Sequence, residues 1–142
     1  MKITITAIDL ASERPMGNIK APGYKVQFTS SLAVGTAVFV PARTASLEMQ
    51  GQSFWVELNQ ETVENLVRLP GDSSQHPVLA STSKSGDFNA RGVITSVVPF
   101  ITARADDASF ILASDELGDI ALQEGDWVEF LVRELSLWDE AI

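Results

Sequence analysis

The sequence predicts a mostly-β protein, an antiparallel barrel or sandwich with one short helix near residues 60–69. Three observations point there. Short runs of alternating apolar and polar residues recur along the chain. Glycine, proline and acidic pairs punctuate those runs. The stretch Arg91–Trp138 holds three apolar, β-branched runs separated by acidic turns, and its centre, Leu122–Phe130, is the most patterned part of the chain.

Taken in order, Lys2–Leu10 reads as a strand with Ile3, Ile5 and Ala7 on one face. Ile8 breaks the alternation, so a bend or two-sided burial is expected there. Ala11–Gly23, with two prolines and two glycines, reads as a loop. Tyr24–Thr29 alternates, placing Tyr24, Val26 and Phe28 together. In Leu32–Val40 the valines share a face, and Gly35 and Ala37 occupy the other, where a neighbour can approach closely. Ala45–Gln50 and Ser53–Leu58 read as a hairpin about Gly51. Asn59 is a suitable N-cap, Val63, Leu66 and Val67 form a helical stripe, and Pro70-Gly71 is a stop, which predicts the helix. Pro77–Thr82 reads as a short edge strand and Ser83–Ala90 as a mobile excursion. Gly92–Thr102 and Ser109–Ala113 are paired strands turning at Asp106-Asp107. In the last run Val128, Phe130 and Val132 share a parity that Leu135 and Leu137 do not. A bulge or sharp bend near Arg133-Glu134 follows, letting one strand serve two sheets or close a barrel. No internal repeat is visible.

A chain of 142 residues with 45% hydrophobic and 20% charged residues fits one globular domain spanning 1–142. The absence of cysteine removes disulfides, thiolate metal sites, cysteine nucleophiles and thiol redox chemistry. The N-terminus lacks the features of a signal peptide, and no apolar run approaches the ~18 residues of a spanning helix, so cytoplasmic residence without membrane contact is expected. Charge is uneven. Residues 91–142 carry 3 Arg against 11 Asp and Glu, a net of −8 of the chain's −9. That half repels polyanions and attracts a basic partner.

Gly92-Val-Ile-Thr-Ser-Val97, a hairpin, and then Leu122-x-x-Gly125-Asp126-x-Val128-x-Phe130-x-Val132 resemble OB-type barrels of the cold-shock-like and S1-like kind over residues 91–138. The resemblance implies an OB-like fold. It also implies nucleic-acid binding through paired aromatic and basic residues. Val93–Phe100 has no Lys, no Arg and one aromatic, so that activity does not carry over.

His76 is the sole histidine, near Ser73 and Ser74, but no nucleophile elbow accompanies it. The carboxylate pairs Asp106/Asp107, Asp115/Glu116 and Glu124/Asp126 are the candidates for sugar hydrolysis, which needs two carboxyls across one cleft. Asp115–Asp119 has oxygen ligands but no EF-hand spacing. No catalytic residue, metal ligand or cofactor is assigned. The expected function is a non-catalytic, acidic interaction module for a protein partner of basic character, of the immunity or inhibitor type, with a second copy of the chain as another partner. Trp55, Lys25, Arg43, Trp127 and Trp138 are the candidate binding residues: strand parity puts Trp55 and Trp127 outward if their alternate neighbours face the core, the competing arrangement being Trp55 covered by the helix or a loop, and Trp138 lies near the end. Two alternatives stand beside it: a single-stranded nucleic-acid binder using the first-half aromatic and basic face, and a carboxylate enzyme acting on a sugar.

Overall fold

The computed structural model describes residues 1–71 and 75–142. Its strands are β1 (Lys2–Met16), β2 (Ala21–Thr29), β3 (Val34–Val40), β4 (Ser53–Asn59), β5 (Thr62–Arg68), β6 (Val78–Ser81), β7 (Phe88–Ser96), β8 (Ile101–Ala105), β9 (Ala108–Leu112), β10 (Trp127–Arg133) and β11 (Ser136–Asp139). Short 3-10 turns at Leu47–Met49 and Ser114–Glu116 precede β4 and β10. Among the described residues no helix is long and apolar enough to cross a membrane.

Two sheets share one core. The first runs β1–β2–β3–β11–β4, and β4 pairs back onto β1 through Lys2–Thr4. β3 and β11 are parallel, and the other pairings are antiparallel. The second sheet runs β5–β10–β7–β8–β9, with β6 on β7. Phe28 of the first sheet meets Phe88 of the second at 5.9 Å between ring centroids. Gly35 makes that junction: a Cβ there would lie 2.7 Å from the Phe88 ring. This is the close approach expected at Gly35, and Ala37 on the same face is buried too.

The two sheets are copies of one pattern, although the sequence shows no repeat. Val26–Thr29 pairs with Val34–Ala37 as Ile101–Arg104 pairs with Ser109–Leu112, at a constant separation of 75 residues. Lys2, Ile3 and Thr4 pair with Trp55, Phe54 and Ser53 as Arg91, Gly92 and Val93 pair with Glu129, Val128 and Trp127. The register shift between Ile5 and Ala7 recurs between Ile94 and Ser96. Ile5 brackets Gly51-Gln52 with two backbone hydrogen bonds, 2.7 and 3.0 Å, and Ile94 brackets Gly125-Asp126 with two of 2.8 Å. The fifth strands are exchanged. Asn59, Leu58 and Glu57 pair with Ser136, Leu137 and Trp138, while Arg133, Val132 and Leu131 pair with Thr62, Val63 and Glu64. Residues 53–64 thus correspond to 127–138, and each half gives its last strand to the other. Side chains hid the relation. Phe28 faces Gly35 in one half where Ala103 faces Phe110 in the other, so the bulk has changed strands.

Several expectations are corrected. Residues 60–69 form no helix; they are the turn into β5 and β5 itself. Asn65 adopts φ +57°, and β5 carries one extra residue opposite Glu129–Leu131. This bulge puts Val63 and Leu66, three apart, on the same buried face, which mimics helical spacing. Residues 11–23 are not a loop, because β1 and β2 continue as a hairpin past Pro15 opposite Pro22 to Met16 opposite Ala21, and only residues 17–20 turn. Prolines at that far end interrupt no interior pairing. Leu47–Met49 is a 3-10 turn, not a hairpin strand. The excursion expected over Ser83–Ala90 is confined to a short turn at residues 83–86, since Asp87, Phe88 and Ala90 are buried and β7 starts at Phe88. Gly92–Thr102 is two strands, β7 and β8, parted at Val97–Phe100. Arg91–Trp138 is not one unit, because β11 leaves for the first sheet and β5 enters from outside. The turn expected near Arg133-Glu134 is there: Glu134 has φ +51°, and the chain passes from one sheet to the other across it.

Candidate functional site

Trp55 and Arg43 come together. Trp55 lies on β4 with parity opposite to buried Val56, so its indole projects outward and is 56% exposed. Arg43 follows β3 and holds its guanidinium 5.7 Å from the Phe54 ring centroid, donating to Gln52 Oε1. Trp55, Arg43, Gln52, Asp139 and Glu140 line one shallow cleft of about 790 Å³. The Glu140 N–H donates to the Trp55 carbonyl at 2.9 Å, fixing the acidic end of the chain beside the indole. This surface combines an aromatic plane on a paired strand with a cation and two carboxylates.

The other candidates lie elsewhere. Trp138 is half-buried, its Nε1 donating to Ser136 Oγ at 3.0 Å, its ring under the Gly17 turn. Trp127 is half-buried on the outer face of the second sheet, across from Val93. Lys25 is exposed on β2 and lines, with Arg14 and Glu134, a separate cleft of about 270 Å³.

Of the six carboxylates in the candidate pairs, four hold local structure through hydrogen bonds. Asp106 accepts the Ser31 hydroxyl at 2.6 Å, and Asp107 accepts the Lys2 N–H at 3.1 Å. Asp126 accepts the Gln123 N–H at 2.9 Å, and Glu116 accepts those of Ala113 and Val63. Asp106/Asp107 and Glu124/Asp126 sit on separate turns, whereas Asp115 and Glu116 line one groove together with Glu61 and Glu64. His76 is exposed, and Ser73 and Ser74 lie outside the described residues.

A second surface contains the candidate pair Asp115/Glu116, but nothing in the sequence joined that pair to the apolar dipeptides around Pro99 or to Glu61 and Glu64. Gln60–Asn65, the Val97–Ile101 connection and Ile111–Glu116 surround a groove of about 1060 Å³. Phe100 and Ile111 stand at its edge, 62% and 58% exposed. Its charged lining residues are Glu61, Glu64, Asp115 and Glu116, all acidic. Glu64 pairs with Arg133 at 2.8 Å. Among the described residues no ion pair involves Glu61 or Asp115. The Glu61 carboxyl is held above its ordinary range by a hydrogen bond and repulsion from Glu134, which Arg14 and Lys84 only partly offset.

Asp87, just before β7, holds the connection from β10 to β11. It is 1% exposed, accepts Arg133 Nη1 at 2.7 Å and accepts the Glu134 N–H at 3.0 Å. Burial alone would raise its pKa. The Glu134 N–H, Arg133 and Lys84 outweigh burial and hold the carboxyl below the usual range.

Compared with known proteins, the chain matches no family model, no curated protein and no solved structure.

Proposed function

We propose that the protein is a non-catalytic interaction module that binds a protein partner through the Trp55 cleft, in the manner of an immunity or inhibitor protein. One observation carries this reading: a tryptophan more than half exposed on a hydrogen-bonded strand, beside Arg43, Asp139 and Glu140. Tryptophan and arginine dominate binding energy at protein interfaces, and a rigid strand offers them with little ordering cost. The net charge of −9 favours a basic partner, by steering and by complementarity.

In this reading each five-strand half is an OB-like unit. The return of β4 onto β1 and the parallel pairing of β3 with β11 support that assignment for the first half. The matching registers extend it to the second.

The test is affinity capture from the protein's own cells with wild-type chain and Trp55→Ala, at low and physiological salt. A partner held by wild type and lost by Trp55→Ala supports the reading. Equal retention by both chains refutes it. A concentration-dependent dimer abolished by Trp55→Ala would make a second copy of the chain the partner.

A further inference from the structure

The two halves differ at one place where their hydrogen-bonding pattern should be the same. In the first half the third and fifth strands close on each other: Val38, Phe39 and Val40 pair in parallel with Ser136, Leu137 and Trp138. The corresponding positions in the second half are Ala113–Asp115 and Thr62–Glu64. Among the described residues no ladder joins them. Side chains span the gap. The Glu116 carboxylate accepts the N–H groups of Ala113 and Val63, and the Gln60 amide donates to the Ile111 carbonyl at 2.8 Å. The seam is open, and the acidic groove lies along it.

The corresponding clefts have also diverged in chemistry. The first-half cleft is about 270 Å³ and carries Arg14 and Lys25. The second-half groove is nearly four times larger, has no lysine or arginine in its lining, and sets Phe100 where Lys25 stands in the other half. Val98 and Phe100, 78% and 62% exposed, form an apolar tip beside four carboxylates. Glu116 and Glu64 already hold backbone and Arg133. Among the described residues neither Glu61 nor Asp115 forms an ion pair, although Glu61 already shares a hydrogen bond with Glu134. Exposed apolar side chains beside uncompensated carboxylates match a ligand that is both cationic and apolar.

We propose that this open seam is a docking groove for an extended, lysine- or arginine-rich segment of a partner protein whose apolar side chain packs on Phe100. The basic residues lie toward Glu61 and Asp115. The inference takes from the function proposed above only that the protein binds other proteins. The surface is different, so each can fail alone.

The test uses isotope-labelled full-length chain and three short peptides: lysine-rich with one phenylalanine, the same with alanine for phenylalanine, and the same with glutamate for every lysine. The first peptide is expected to shift the amide resonances of residues 60–65, 97–101 and 111–116. Its affinity should fall about tenfold between low and physiological salt. The alanine peptide should bind about fivefold or more weakly, a loss of about 1 kcal/mol, and the glutamate peptide should not bind. Phe100→Ala should weaken the first peptide by a similar factor. The double variant Glu61→Gln, Asp115→Asn should flatten its salt dependence. Trp55→Ala should leave it unchanged, which separates this groove from the Trp55 cleft. Equal binding of the lysine and glutamate peptides overturns the proposal. So do shifts centred on the Trp55 cleft, or no shift at millimolar peptide in low salt.

Discussion

Asp87 shows how much one side chain can decide. It is the one carboxylate buried among the described residues, and its partners, Arg133 and the Glu134 N–H, sit where the chain changes sheets. Removing its charge leaves Arg133 with Glu64 alone. Asp87→Asn should cost about 2 kcal/mol at neutral pH. Its carboxyl titrates lower in the folded than in the unfolded chain, so the stabilisation is present above the unfolded value of about 3.9 and fades as pH falls through the folded one. Urea midpoints of wild type and Asp87→Asn should therefore differ at pH 7 and converge in acid. A gap that persists unchanged below pH ~2 would mean that the charge is not the cause. Gly35 is the opposite case, a residue that matters through what it lacks. Gly35→Ala drives a methyl into the Phe88 ring and should cost about 1–3 kcal/mol, partly recovered by shortening Phe88 to leucine.

At the scale of elements, an apolar spacing of three interrupts the alternation in two strands and once across the β10–β11 connection: Ile5 and Ile8, Val63 and Leu66, Val132 and Leu135. All six residues are buried, and each spacing spans a bulge or a left-handed residue. The first and last were legible as irregular strands, because the flanking alternation was long. The second was read as a helix, because a capping residue, a three-four stripe and a proline stop all accompany it. Local spacing alone does not separate a bulged strand from a short helix. Pairing with β10 decides it, and β10 lies more than sixty residues away. Asn65→Gly should be neutral or slightly stabilising, whereas Asn65→Val should cost about 1–2 kcal/mol, since a β-branched residue resists positive φ. Thermal or urea unfolding of the two variants checks this. Equal stabilities would argue against the left-handed bulge.

Across the whole molecule, the exchange of fifth strands makes the halves interdependent. Residues 1–71 lack the strand that lies between β3 and β4, and residues 75–142 lack the strand that lies beside β10. Each fragment alone should be unfolded by circular dichroism, and an equimolar mixture should recover the fold. A fragment that folds alone would show that the exchange is dispensable. The intact chain should unfold in one transition by tryptophan fluorescence and far-UV circular dichroism, because neither sheet is complete without the other.

The sequence by itself determined the β class, the positions of most strands, the turn at Asp106, the close approach at Gly35 and the bend at Glu134. These are local matters of alternation, turn chemistry and side-chain size, written within a few residues. It also determined the charge asymmetry, and it offered an outward Trp55 by strand parity without deciding between that and a covered indole. Tertiary structure decided which strands pair, and so everything that depends on partners distant in the chain. That includes the strand at β5, the hidden duplication, the meeting of Trp55 with Arg43 and the acidic end, and the groove where one half leaves open the seam that the other closes. Backbone register carries those relations, and hydrogen bonding between main-chain groups is nearly indifferent to which side chains occupy the paired positions. That is why two halves with the same ladder share so little sequence.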